Sequence, residues 1–147
     1  MKYVVWGAPG AGKTSIAGLT GLPDRFHGDE TLANMVLESR GAEIALIVFD
    51  VTVPAQVQAA RCQVAVRQAG IVQVIAAANK MDLAGYEYGA FKAARSVFLR
   101  GWHGEPPVFV PVSARFGDLI LEPGDRIDWY EGPTLAELLG IAQKAAA

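Results

Sequence analysis

Residues 7–14 constrain this chain more than any other stretch: Gly7, Ala8, Pro9, Gly10, Ala11, Gly12, Lys13 and Thr14 match G-x-x-x-x-G-K-[ST]. The run follows a strand candidate, Lys2 to Trp6, with two valines and two aromatics, and it opens a short helix over Lys13 to Leu19. In that setting the glycines let backbone N–H groups converge on phosphate oxygens, and the helix N-terminus adds partial positive charge. Lys13 is the candidate to reach the terminal phosphates, the Thr14 hydroxyl is the candidate Mg²⁺ ligand, and Ser15 continues the row of amides. The pattern predicts phosphate binding and says nothing about a base.

Downstream, apolar runs alternate with helical periods. Leu32, Met35 and Val36 fall at i, i+3 and i+4, predicting an amphipathic helix over roughly Asp29 to Arg40 with Gly41 just past its end. Ile44 to Phe49 is a continuous apolar run closed by Asp50, the look of a strand covered on both faces. Val57, Ala60 and Val64 form the apolar face of the next helix, with Gln56, Arg61 and Gln63 elsewhere. Ile71 to Ala77 reads as another buried strand, and Val108-Phe109-Val110 as a last short one. Phe91, Ala94 and Phe98 mark a helix with Lys92 and Arg95 on its wet side; Leu135, Leu138, Leu139 and Ala142 mark the final helix. Arg115 to Pro133 is the one long irregular stretch. This alternation calls for an α/β fold, a three-layer sandwich with a mainly parallel sheet; the phosphate loop adds the expectation of a P-loop NTPase fold, in one domain over residues 1–147.

Composition narrows the classes. The chain has 147 residues, 52% of them hydrophobic and 19% charged, which supports a packed core and excludes disorder. A formal net charge of -2 argues against coating nucleic acid. Trp6, Trp102 and Trp129 are scattered over different elements and read as core or edge aromatics, not as a stacking platform. A single cysteine, Cys62, forms no internal disulfide, and the four residues Tyr3 to Trp6 are too short for the apolar part of a signal peptide. No apolar run approaches a membrane span. The expected setting is the cytoplasm, with neither membrane nor direct nucleic-acid contact.

Asn79-Lys80-Met81-Asp82 directly follows the Ile71 to Ala77 strand. A carboxylate at Asp82 can accept two hydrogen bonds, from the N1–H and 2-amino group of guanine, which adenine cannot supply. Asn79 would brace neighbouring loops and the Lys80 stem would lie over the base plane. Ligands in such sheets bind beyond the carboxyl ends of strands, where this segment falls. Ser113, Ala114 and Arg115 follow the last strand, at the place where GTPases offer a backbone N–H to the guanine oxygen.

Together these segments resemble the nucleotide-binding domain of the translation-factor GTPase superfamily, which includes the GTPase subunit of ATP sulfurylase and the elongation factor that delivers aminoacyl-tRNA. Asn34-Met35-Val36, Ala45 to Asp50, Asn79 to Leu83, Val110-Pro111-Val112-Ser113-Ala114, Gly117-Asp118 and residues 129–135 (W-Y-E-G-P-T-L) carry the likeness. It implies GTP/GDP as ligand, Mg²⁺ as cofactor and GTP hydrolysis as activity. The family places several dozen residues, with two strands and a switch threonine, between the phosphate loop and a D-x-P-G-H motif. Here only Ala17 to Pro23 intervene, Asp24 takes the register of the motif's aspartate, and His27 sits one place early.

Two carboxylates therefore compete to support the metal beside Thr14: Asp24 by family register, and Asp50 because it closes an apolar strand. His27 is the candidate for orienting water, against the default of a solvated loop histidine. Slow hydrolysis is expected; the alternatives are a nucleotide holder without turnover and a small-molecule P-loop kinase, which Asp82 disfavours. With the two family strands missing, the fold has fewer strands than a full GTPase domain, the Lys2–Trp6 strand becomes a sheet edge, and an exposed edge would invite a homodimer.

Overall fold

The computed structural model describes residues 2–22 and 31–141. Its core is a four-stranded, all-parallel sheet in the order β1-β2-β3-β4, formed by Tyr3–Trp6, Ile44–Asp50, Gln73–Asn79 and Val108–Pro111. Helices α1 (Lys13–Thr20), α2 (Leu32–Glu38), α3 (Gln56–Ala69), α4 (Tyr88–Arg100) and α5 (Leu135–Leu139) surround it, and a 3₁₀ turn over Met81–Ala84 follows β3. Every residue from Ile44 to Phe49 is buried, and successive strand side chains point to opposite faces, so both faces of the sheet are covered. α2, α3 and α4 lie side by side as one of the covering layers. Among the described residues no helix is long and apolar enough to cross a membrane.

Local chemistry sets the ends of these elements. Thr31 caps α2 by accepting from the Asn34 N–H at 3.2 Å, and Thr134 with Glu137 forms a reciprocal capping box on α5. Within its described part α2 spans Leu32–Glu38, shorter than the expected Asp29 to Arg40; Asp29 itself lies outside the described residues, as does Ala142. β3 begins at Gln73 and runs through Asn79, two residues later at each end than the apolar run suggested. Val72 is exposed, and Ile71 is buried in the connection from α3.

The largest correction concerns α3. Val57 is 78% exposed, Ala60 and Val64 are exposed too, and the buried side carries Ala59, Cys62, Gln63, Ala65 and Val66. α3 sits in the middle of its layer, between α2 and α4, where small side chains let neighbours approach closely. A Cβ on Gly101, at the end of α4, would overlap the Gln56 carbonyl at the start of α3. Gln63 is buried because its amide is satisfied twice by His103, donating to the carbonyl and accepting from the N–H at 3.0 Å.

Among the described residues β1 is an edge strand of the sheet, as the missing strands implied, and its Val4, Val5 and Trp6 are each 1% exposed.

Candidate functional site

The phosphate loop leaves the end of β1 and re-enters helix at Lys13. Gly7 passes so close to β2 that a Cβ there would stand 2.5 Å from the Val48 carbonyl oxygen. The Ala11 N–H donates to the Ala8 carbonyl at 3.1 Å, closing a turn, and Gly10 and Gly12 take left-handed φ values of 82° and 104°. The Lys13 stem lies against Gly7 and is almost wholly buried. On its outer side the loop borders a shallow open cleft lined by Pro9, Gly10, Phe49, Asp50, Val53 and Gln58 among others.

The base-reading segments converge on this loop. Asp50 and Asn79 are register partners at the carboxyl ends of β2 and β3. Asn79 is 2% exposed; its amide nitrogen donates to the Ala11 carbonyl at 2.9 Å, and its amide oxygen accepts from the Ala114 N–H at 3.0 Å. One buried side chain thus joins three loops. Lys80 turns the chain with φ 68°, and its ammonium donates to the Gly10 carbonyl at 2.6 Å while pairing with Asp50 Oδ2 at 3.1 Å. Asp82, in the 3₁₀ turn, accepts from the Ser113 hydroxyl at 2.8 Å. Of the three residues Ser113 to Arg115, Ala114 has its N–H taken by Asn79, whereas the Arg115 N–H has no acceptor among the described residues.

Asp50 is engaged on both oxygens. Oδ1 accepts from the Thr52 N–H at 2.8 Å and the Thr52 hydroxyl at 2.6 Å; Oδ2 faces Lys80. Burial alone would raise its carboxyl, but the Thr52 hydroxyl and amide and the Lys80 ammonium together hold it below the ordinary value of 3.8. Among the described residues no three His, Cys, Asp or Glu side chains cluster as a metal-binding group. Asp24 and His27 lie outside the described residues.

Sequence reading missed a brace outside the base site. Trp129 Nε1 donates to the Tyr86 carbonyl at 2.8 Å and its ring packs against Tyr88 and Phe91, with centroids 5.1 and 5.4 Å away. Arg126 reaches the Tyr86 hydroxyl at 3.4 Å and Asp118 at 3.5 Å, and its guanidinium stands 4.8 Å from the Phe116 ring centroid. The irregular stretch therefore ties the turn after Asp82 to the loop after Ser113. The tryptophan within residues 129–135 was the available signal, but its partner could not be read from spacing.

No family model matches the chain. Elongation factor 1-alpha of Archaeoglobus fulgidus is 39% identical over 115 residues, 75% of this chain and 27% of the relative. Sulfate adenylyltransferase subunit 1 of Laribacter hongkongensis is 35% identical over 109 residues, 72% of this chain and 23% of the relative. The chain thus spans about a quarter of the length of these curated relatives. Among solved structures, a probable GTP-binding protein engB superposes with TM-score 0.57 at 18% identity, covering 80% of this chain and 92% of that one. A GTP-binding protein from Sulfolobus solfataricus in complex with GDP superposes with TM-score 0.53 at 17% identity, covering 79% of this chain and 48% of that one. At such identities the superpositions speak to fold. Over about three quarters of its length, then, the chain is homologous to the translation-factor GTPases, and its fold is that of a P-loop GTPase.

Proposed function

We propose that this chain binds GTP and GDP with Mg²⁺ and hydrolyses GTP slowly. The observation that carries the reading is the pair of hydrogen bonds made by the Asn79 side chain, one donated to the phosphate loop at Ala11 and one accepted from the loop after β4 at Ala114. Phosphate grip and base reading then form one surface at the carboxyl ends of the strands, where a single nucleotide can span both. Asp82, held by Ser113, would select guanine through its N1–H and 2-amino group, and the Arg115 N–H would serve the guanine oxygen. Lys13 would neutralise the terminal phosphates.

Mg²⁺ would be held by the Thr14 hydroxyl together with the nucleotide phosphates, since this ion binds with few protein ligands and several waters. It would supply charge neutralisation between the phosphates. Asp50 suits the part of second ligand poorly, because Thr52 and Lys80 occupy its oxygens and an ammonium next to the ion would repel it. The family register leaves Asp24 as the carboxylate to test.

The short connection after α1 favours slow turnover. α1 ends at Thr20 and α2 begins at Leu32, leaving 11 residues between them, too few for the two strands and switch threonine that the resemblance would require. The same observation supports the second reading, a nucleotide holder without turnover. A small-molecule kinase has no use for the Asp82–Ser113 pair.

Calorimetric titration with GDP, GTP, ADP and ATP, with Mg²⁺ and in EDTA, tests the proposal. Tight GDP and GTP binding with little affinity for adenine nucleotides is expected. Equal affinity for ADP would overturn it. Release of phosphate from GTP by purified protein separates hydrolase from holder.

A further inference from the structure

We infer that Asp50 is a positioning residue for the guanine nucleotide, fixing the Lys80 ammonium against the Gly10 carbonyl and so fastening the base-reading segment to the phosphate loop. The inference rests on the function proposed above and adds a role that neither the metal nor the phosphates require. Register is the first support: Asp50 stands opposite Asn79, one residue before Lys80, so the pair is set by the β2–β3 ladder and not by chance approach of surface chains.

A division of labour within the carboxylate is the second. Thr52 holds Oδ1 through both its N–H and its hydroxyl, which fixes the carboxyl plane and turns Oδ2 to Lys80 at 3.1 Å. The carboxylate is therefore immobilised before it meets the ammonium. This matters because a lysine stem loses considerable rotamer freedom when pinned, and one bond to Gly10 leaves that loss to be met when the ligand arrives. With Asp50 in place the cost falls on folding, and the stem waits over the base position already ordered. The Asp50 side chain is 14% exposed and that of Lys80 32%, so the pair is partly sheltered and solvent screens it less than a fully exposed contact.

The experiment measures GDP affinity for wild type, Asp50→Asn, Asp50→Ala, Lys80→Met and the Asp50→Asn/Lys80→Met double variant, each with Mg²⁺ and in EDTA. Asp50→Asn keeps an acceptor for Thr52 and so preserves the turn if Asp50→Ala fails to fold. Loss of about five- to tenfold in affinity is expected for both Asp50 variants, equal in the two metal conditions, and vanishing in the Lys80→Met background. Losses that add independently to those of Lys80→Met would overturn the inference. So would a loss confined to Mg²⁺, which would make Asp50 a metal ligand, or unchanged affinity in a wild type that binds GDP. Wild-type protein without GDP affinity would instead bring down the proposed function, and this inference with it.

Discussion

The Ser113 hydroxyl donates to the Asp82 carboxylate at 2.8 Å, joining residues 31 positions apart in the chain. Ser113 is fully buried, and its oxygen also accepts weakly from the Phe116 N–H at 3.4 Å. The serine therefore aims the carboxylate and supports the loop from which the neighbouring amides are presented. Ser113→Ala is expected to weaken GDP binding about tenfold and to lower stability by about 1–2 kcal/mol, since a bond to a charged acceptor is lost. Isothermal titration and urea denaturation measure the two effects. An unchanged Kd would mean that Asp82 is oriented by the base alone.

Asp82 also predicts a change of ligand. An amide in place of the carboxylate can donate to a carbonyl, which is what xanthine carries where guanine has its amino group. Asp82→Asn is expected to weaken GDP by about a hundredfold while improving affinity for xanthosine diphosphate. A variant that loses both nucleotides equally would show that residue 82 supports the loop and does not read the base.

Gly12 sits where two constraints meet. Its φ of 104° is unfavourable for any side chain, and a Cβ there would run into the Asn79 amide. Gly12→Ala must displace the side chain that joins Ala11 to Ala114. We expect loss of GDP binding by about a hundredfold or more and destabilisation of about 2–4 kcal/mol. Gly18, in α1, has ordinary helical φ and open space around it, so Gly18→Ala should gain about 0.5–1 kcal/mol and leave binding intact. Thermal melts with and without GDP distinguish the pair.

These positions also mark what sequence can carry. The phosphate loop was readable because its conformation is encoded locally: positive φ at Gly10 and Gly12, then a helix start. The strands were readable because burial on both faces leaves unbroken apolar runs, as in Ile44 to Phe49. The inner face of α3 was not. Its valines point outward and its core side is made of Ala59, Cys62 and Ala65, a choice dictated by how closely α2 and α4 approach, which no period in the helix itself records. Gln63 escaped for a similar reason, since its amide is buried only because His103 supplies both partners from 40 residues away. The sequence marks Asp50 as a strand-end carboxylate, but its pairing with Lys80 depends on the β2–β3 register and a left-handed turn at Lys80.

Cys62 supplies a prediction in pH. It lies fully buried on the inner side of α3, and burial pushes its thiol from 9.0 up to about 12, against the smaller opposing pull of Arg61, Gln58 and Lys13. Because the folded value exceeds the unfolded one, its contribution to stability is complete below pH 9 and is lost as pH rises toward about 12. The urea midpoint should fall across that interval, and Cys62→Ala should remove part of the fall while leaving the contribution of other alkaline groups, so the difference between the two curves isolates the thiol. At pH 8 the folded state holds a neutral, inaccessible sulfur, and modification by iodoacetamide must wait for opening. Labelling is therefore expected to accelerate with urea and to slow when GDP is added, because a ligand that binds only the folded state lowers the open population. Rapid labelling of native protein at pH 8, insensitive to both urea and GDP, would mean that α3 does not bury Cys62 against the sheet.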